Sequence, residues 1–122
     1  MKKILLVDDN IENLELLKIV FELANFETIG INNSKSIDAT ISSFNPDLIL
    51  MDIMLGQTNG MDVCNELKKS PKTNHIPIML MSASNLFTKE KEAACLADSY
   101  IPKPFDIDEL VVKANELLLI NK

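Results

Sequence analysis

The sequence contains no arginine and no tryptophan, and it has few cysteines, glycines and histidines. All 12 basic residues are lysines, and 18 acidic residues outnumber them, so the formal net charge is −6. A lysine cannot form the paired hydrogen bonds by which a guanidinium group grips phosphate or guanine, and nucleic acid repels an acidic chain. We therefore predict that this chain does not bind nucleic acid by itself.

The cysteines and the apolar runs give no sign of secretion or membrane insertion. Cys64 and Cys95 lie in separate amphipathic stretches without CxxC or metal-type spacing, and we expect both to be buried free thiols with no redox role. We find no signal peptide and no apolar run long enough to span a bilayer. These features predict a cytoplasmic protein that does not contact membranes.

The hydrophobic pattern predicts one domain over residues 1–122, in which strands alternate with helices. Short apolar runs predict five strands, at 3–7, 26–31, 46–51, 76–81 and 99–101. Helical patterns follow them, at 11–24, 35–44, 60–69, 88–97 and 107–120. Alternating units of this length predict an α/β fold with a five-stranded parallel sheet, doubly wound by helices on both faces.

Two helix starts have recognisable caps. Ser34 precedes the second predicted helix, and we expect it to be the N-cap. Asp106 and Glu109 form an acidic version of the capping box before the last predicted helix.

Polar residues follow four of the predicted strands, where a doubly wound sheet binds its ligands. They are Asp8 and Asp9, then Asp52, Ser82 and Lys103. Three carboxylates without a nearby histidine or cysteine favour a hard cation, and Mg²⁺ combines a few carboxylates with water and phosphate. We expect Asp52 to be a nucleophile toward a phosphoryl group, because it ends the central strand. Lys103 and the Ser82 hydroxyl would receive the remaining phosphoryl oxygens.

These residues resemble the receiver domains of two-component response regulators, including the single-domain chemotaxis-regulator type. The resemblance covers the whole chain, from the acidic pair through "MDIMLGQTNG" and "MSAS" to "YIPKPF". It implies the flavodoxin-like (β/α)5 fold, with Asp52 as the phospho-acceptor. It also implies that Mg²⁺ binds Asp9, Asp52 and the backbone carbonyl of Met54 directly, and Asp8 mainly through water.

The resemblance further implies how the domain would act as a switch. Ser82 would be the switch hydroxyl, Lys103 would pair with the phosphate before a cis Pro104, and Tyr100 would rotate into the space that Ser82 vacates. A histidine kinase or phosphotransfer protein would supply the phosphoryl group. The altered surface of the fourth helix, fifth strand and fifth helix would bind a downstream effector. The domain would phosphorylate and dephosphorylate itself, and it would not be a turnover enzyme.

The chain departs from the usual family pattern at two positions. Gly56 stands where the family commonly has proline, four residues after the acceptor, and we expect a less restrained loop there. Leu96 stands where the family often has glycine, so we expect the fourth helix to end differently. The sequence leaves open whether this is a complete single-domain regulator or the first part of a longer one.

Two other classes of protein fit less well. A phosphatase of the haloacid-dehalogenase type needs an acid two positions after its nucleophile, where this chain has Met54. A flavodoxin-like binding module needs a phosphate loop after the first strand, where this chain has acidic residues. The one histidine, His75, lies in a polar loop, and we interpret it as an ordinary surface residue.

Overall fold

The computed structural model describes residues 1–83 and 95–120, except for the side chains of Ala83 and Ile120. The described helices are α1 (Ile11–Leu23), α2 (Ile37–Phe44), α3 (Gly60–Lys69) and the C-terminal helix (Ile107–Ile120). The strands are β1 (Lys2–Val7), β2 (Phe26–Ile31), β3 (Leu48–Asp52), β4 (Met54–Leu55), β5 (Thr58–Asn59), β6 (Ile78–Ala83) and β7 (Ser99–Lys103). β4 and β5 form an antiparallel hairpin, and the other five strands form one parallel sheet in the order β2-β1-β3-β6-β7. The predicted fold class is therefore confirmed.

Each face of the parallel sheet carries its own hydrophobic cluster. On the face covered by α1 and the C-terminal helix, here called the α1 face, Ile4 and Leu6 of β1 are fully buried. On the opposite face, the α3 face, Leu5 and Val7 pack with residues of α2 and α3. Because successive side chains of a strand point to opposite faces, a strand that contributes to both clusters must be apolar throughout. This explains the continuous apolar runs in the sequence.

Two central strands begin two residues later, and end one or two residues later, than the sequence pattern predicts. β3 starts at Leu48 instead of residue 46, and β6 starts at Ile78 instead of residue 76. A proline lies near each predicted start, and proline has no N–H to donate to a neighbouring strand. The later ends place Asp52 and Ser82 inside their strands.

The predicted helix at 88–97 lies largely outside the described residues, which resume at residue 95. Residues 95–97 are not helical.

The prediction that Ser34 caps the second helix was wrong. α2 begins at Ile37, and Ser36 occupies the N-cap position without a hydrogen bond from its side chain to the helix. The Asn33 side chain binds this turn instead, because its Oδ1 accepts the Ser36 backbone N–H at 3.1 Å. By contrast, Asp106 Oδ1 accepts the Glu109 N–H at 3.1 Å, so Asp106 caps the C-terminal helix as predicted.

Cys64 and Cys95 are buried free thiols, as predicted from the sequence. The fold brings them into contact, although they are distant in the chain. Burial, together with the neighbouring Cys95 thiol, raises the pKa of Cys64 to about 12. The Cys64 thiol is therefore protonated at neutral pH and is a poor nucleophile. His75 is exposed, as predicted.

Among the described residues, we find no helix with both the length and the apolar character needed to cross a membrane.

Lys68, near the end of α3, contacts two separate segments of the chain. Its Nζ donates to the carbonyl oxygens of Ile76 at 2.9 Å and Asn74 at 3.3 Å. It also lies 2.8 Å from Asp98 Oδ2, which accepts the backbone N–H of Ile78. Lys68 therefore connects α3 to the turn before β6 and to the approach to β7.

Replacing Lys68 with methionine should destabilise the fold by about 2 kcal/mol, because it leaves carbonyl oxygens and a partly buried carboxylate without their charged donor. Urea unfolding at neutral pH measures the change. Lys69→Met is the matched control, since Lys69 is exposed at the end of the same helix. Equal unfolding midpoints for the two variants would contradict this role of Lys68.

Candidate functional site

The carboxyl ends of four strands bring polar side chains to one edge of the sheet. Lys103, at the end of β7, places its Nζ 2.6 Å from Asp52 Oδ2 at the end of β3. The same nitrogen lies 3.7 Å from Oδ2 of Asp8, which follows β1. The structure therefore brings together two of the predicted carboxylates and the predicted ammonium group.

Asp52 is held on both of its carboxylate oxygens. Oδ1 accepts the backbone N–H of Met54 at 2.9 Å, and Oδ2 accepts from Lys103 Nζ. Only 6% of the residue's surface is exposed. These contacts fix one orientation of the carboxylate at the end of the central strand.

Asp8 is more deeply buried than Asp52, with 1% of its surface exposed. Oδ1 accepts the Asn10 N–H at 2.9 Å, whereas Oδ2 has no hydrogen-bond partner within residues 1–83 and 95–120 and lies 3.7 Å from Lys103 Nζ. Burial raises the pKa of the Asp8 carboxyl above its usual range, and the nearby Asp52 carboxylate adds to this effect. A buried carboxylate oxygen without a donor is suited to a cation or to a water molecule that a cation binds.

Asp9 is exposed, and its carboxylate contacts the chain that follows β3. Its Oδ2 accepts the backbone N–H of Gly56, in the β4–β5 hairpin, at 3.0 Å. Over residues 1–83 and 95–120, no three His, Cys, Asp or Glu side chains are grouped closely enough to hold a metal ion. The three predicted carboxylates therefore lie at one edge of the sheet but do not form a single cluster.

The β4–β5 hairpin was not predicted from the sequence. Met54 pairs with Asn59 and Leu55 pairs with Thr58, which leaves Gly56 and Gln57 as the two turn residues. Gly56 has a φ of 63°, as two-residue hairpin turns with glycine often require. The glycine was a signal for a turn, but strands of two residues are too short to show the alternation that identifies a hairpin.

Met54 follows Asp52 by two positions, and its side chain is 60% exposed. The family resemblance implies that the backbone carbonyl of Met54 binds the metal. This carbonyl belongs to the hairpin strand β4.

Ser82 and Tyr100 lie on the opposite face of the sheet from Asp52 and Lys103. In β6, Ile78 and Leu80 pack on the α3 face, so the alternation places Ser82 on that face. Ser82 is 2% exposed, and among the described residues its Oγ has no hydrogen-bond partner. Tyr100 is the register partner of Leu80, and it packs against the same cluster.

Tyr100 is already half-buried, and its hydroxyl donates to the Cys95 carbonyl at 3.3 Å. An inward rotation of this ring would therefore begin from a partly packed position. The expected cis peptide between Lys103 and Pro104 is confirmed.

This fold and edge site define the chain's class. The family model for the response regulator receiver domain matches residues 4–115, and the chain belongs to this family. The domain therefore serves phosphorylation-dependent signalling in a two-component system. The family uses Mg²⁺ at its phosphorylation site.

Individual relatives agree with this assignment. The chain is 35% identical to the phosphate regulon transcriptional regulatory protein PhoB of Pseudomonas aeruginosa, over 96% of this chain and 52% of PhoB. It is 30% identical to the polar-differentiation response regulator DivK of Brucella anthropi, over 90% of each protein. A response regulator structure from Chloroflexus aurantiacus superposes with a TM-score of 0.88 at 26% identity, covering 97% of this chain and 98% of that one. The chain spans about half the length of PhoB and of several other curated relatives.

Asp8→Asn should stabilise the metal-free protein by about 1 kcal/mol at neutral pH, because it removes a buried charge with an unpaired oxygen. The raised pKa means that Asp8 favours folding below its unfolded value near 3.8 and loses this contribution as the pH rises through the folded value. The advantage of the variant should therefore disappear on acidification toward pH 4.

Urea unfolding in chelator across this pH range measures the difference. Asp9→Asn is the control, because Asp9 is exposed, and it should change stability by less than about 0.5 kcal/mol. A stability difference between wild type and Asp8→Asn that does not depend on pH would contradict the assignment.

Proposed function

We propose that Asp52 is the phospho-acceptor of a receiver domain that occupies residues 1–122. The observation that carries the proposal is the 2.6 Å contact between Lys103 Nζ and Asp52 Oδ2, beside the second buried carboxylate of Asp8. Lysine is a strong partner for phosphoryl oxygens, and it lies where the transferred group must arrive.

The donor in this proposal is a phosphohistidine of a histidine kinase or phosphotransfer protein. A carboxylate oxygen of Asp52 attacks phosphorus, the new O–P bond forms as the P–N bond breaks, and the imidazole nitrogen leaves with the bonding electron pair. The Met54 N–H keeps the carboxylate oriented, and Lys103 moves its hydrogen bond to a phosphoryl oxygen. The chain contributes orientation and charge, while the energy comes from the donor bond.

We propose that Asp9, Asp52 and the backbone carbonyl of Met54 hold Mg²⁺, with Asp8 acting through water. An all-oxygen donor set and the unpaired Oδ2 of Asp8 support this assignment. Mg²⁺, when bound, offsets the negative charge of the carboxylates and the incoming phosphoryl group.

The switch response is proposed to involve Ser82 and Tyr100. The Ser82 Oγ, which has no partner in the part of the chain that the structure describes, can donate to a phosphoryl oxygen, and Ser82 lies on the same face as Tyr100 on the neighbouring strand. The effector surface would include β7 and the C-terminal helix. The predicted fourth helix would complete this surface, but it lies largely outside the described residues.

We propose a switch in preference to a turnover phosphatase, because Met54 offers no proton two positions after the nucleophile. The acidic, arginine-free composition supports the proposal that this chain does not bind nucleic acid by itself and does not associate with membranes. The free thiols support a cytoplasmic location.

Incubation with acetyl phosphate and Mg²⁺ should add one phosphoryl group to the wild type, because Asp52 is the carboxylate next to Lys103. Asp52→Asn should carry no adduct, and Asp62→Asn, which changes an exposed aspartate on α3, should carry as much as wild type. Intact-mass spectrometry measures all three. An adduct of equal occupancy on Asp52→Asn would overturn the proposal.

The phosphorylated form should be long-lived, because Met54 can neither orient nor deprotonate the attacking water. Met54→Asn introduces an amide that can orient this water, and it should shorten the phosphoryl lifetime by roughly tenfold without preventing phosphorylation. Loss of radiolabelled phosphate after donor removal gives both lifetimes. Equal or slower decay in the variant would show that a residue other than Met54 controls the access of water to the phosphoryl group.

A further inference from the structure

Gly56 makes a contact that the family's usual residue cannot make. Its backbone N–H donates to Asp9 Oδ2 at 3.0 Å across 47 residues of sequence. Proline, which the family commonly has here, carries no N–H, and its ring fixes φ near −65°. Gly56 has a φ of 63°. Both the hydrogen bond and the turn conformation therefore depend on the absence of proline.

We infer that Gly56 is a positioning residue that orients the Asp9 carboxylate for Mg²⁺ and thereby couples the β4–β5 hairpin to the metal site. The inference rests on the proposed role of Asp9 as a magnesium ligand. In this inference, Gly56 does not contact the ion, but it sets how tightly the ion binds.

The surroundings of Asp9 explain why one hydrogen bond matters. The residue is exposed, so packing does not fix its side chain. Within the described part of the chain, the Gly56 N–H is the one hydrogen bond that the Asp9 carboxylate accepts. Without this donor, the carboxylate would have to lose rotamer freedom when the ion binds.

The hydrogen bond leaves the carboxylate able to bind a cation. Each carboxylate oxygen has two lone pairs, so Oδ2 can keep the Gly56 N–H while Oδ1 faces an ion. Groups that hydrogen-bond a metal ligand from behind orient it and typically improve metal affinity by about 10- to 100-fold. We therefore expect orientation to outweigh competition between the N–H and the ion.

The hairpin provides a fixed base for this donor. Backbone pairs join Met54 to Asn59 and Leu55 to Thr58, and the Asn59 side chain caps α3 by accepting the Met61 N–H at 2.8 Å. A Cβ added at Gly56 would meet no atom within 4 Å. The positive φ is therefore the main constraint on substitution at Gly56. Asparagine tolerates a positive φ and keeps the backbone N–H.

The decisive variant removes the N–H alone. Glycolic acid in place of Gly56 converts the amide to an ester, and ligation of residues 1–63 to 64–122 at Cys64 yields the full chain. A wild-type chain assembled by the same ligation is its reference. The recombinant Gly56→Asn variant, compared with recombinant wild type, is the control that keeps the donor.

Mg²⁺ dissociation constants come from titrations followed by two-dimensional ¹H–¹⁵N NMR. The ester should bind Mg²⁺ about tenfold more weakly than the ligated wild type, and Gly56→Asn should stay within about twofold of its own reference. Without Mg²⁺, the Gly56 amide proton of Asp9→Ala should resonate upfield of its wild-type position, because it has lost its acceptor.

Each result decides between the possibilities. Equal or tighter Mg²⁺ binding by the ester overturns the positioning role alone, as does a Gly56 resonance that is unchanged in Asp9→Ala. Failure of wild type to bind Mg²⁺ overturns the proposed metal site together with this inference.

Discussion

The buried carboxylates Asp8 and Asp52 depend on the ammonium group of Lys103. Over residues 1–83 and 95–120, Lys103 is the only cation within 4 Å of either carboxylate. It lies much closer to Asp52 than to Asp8, so the charges are compensated unequally. Within the described part of the chain, Oδ2 of Asp8 accepts no hydrogen bond, and burial raises the pKa of this carboxyl, while both oxygens of Asp52 are bound. The fold holds an incompletely compensated charge beside the proposed acceptor, where a cation would relieve it.

The alternation of side chains along β7 explains how the site can affect both faces of the sheet. Ile101 packs on the α1 face, and alternation places Lys103 on the same side, toward Asp8 and Asp52. Tyr100 packs on the α3 face, which is also the face of Ser82. A group bound at the edge could therefore contact Lys103 from one face and Ser82 from the other. A change at Asp52 on β3 would reach Tyr100 on β7 through Ser82 on β6, the strand between them. The sheet would not have to bend.

The residues that strand order brings together could be predicted from the sequence. Short apolar runs followed by polar residues locate Asp8, Asp52 and Lys103, because parallel strands present their carboxyl ends at one edge. The contacts that depend on loop conformation could not be predicted in this way. The Ser34 cap was wrong because Asn33 binds the turn, and the Gly56–Asp9 bond depends on a hairpin whose strands are only two residues long. Such short strands have too little periodicity to be distinguished from a loop.

The acidic residues of the site are thus fixed in two different ways. Asp8 and Asp52 are positioned by the sheet. Moving either residue would disturb strands that are buried on both faces of the sheet. Asp9 lies outside the core and is positioned by a hairpin in which Leu55 is the one residue that belongs to a buried cluster. Substitutions in the hairpin can therefore alter the geometry of one carboxylate without a large change in the stability of the fold. This separation would let a change in the hairpin alter cation affinity while the proposed acceptor and Lys103 remain in place.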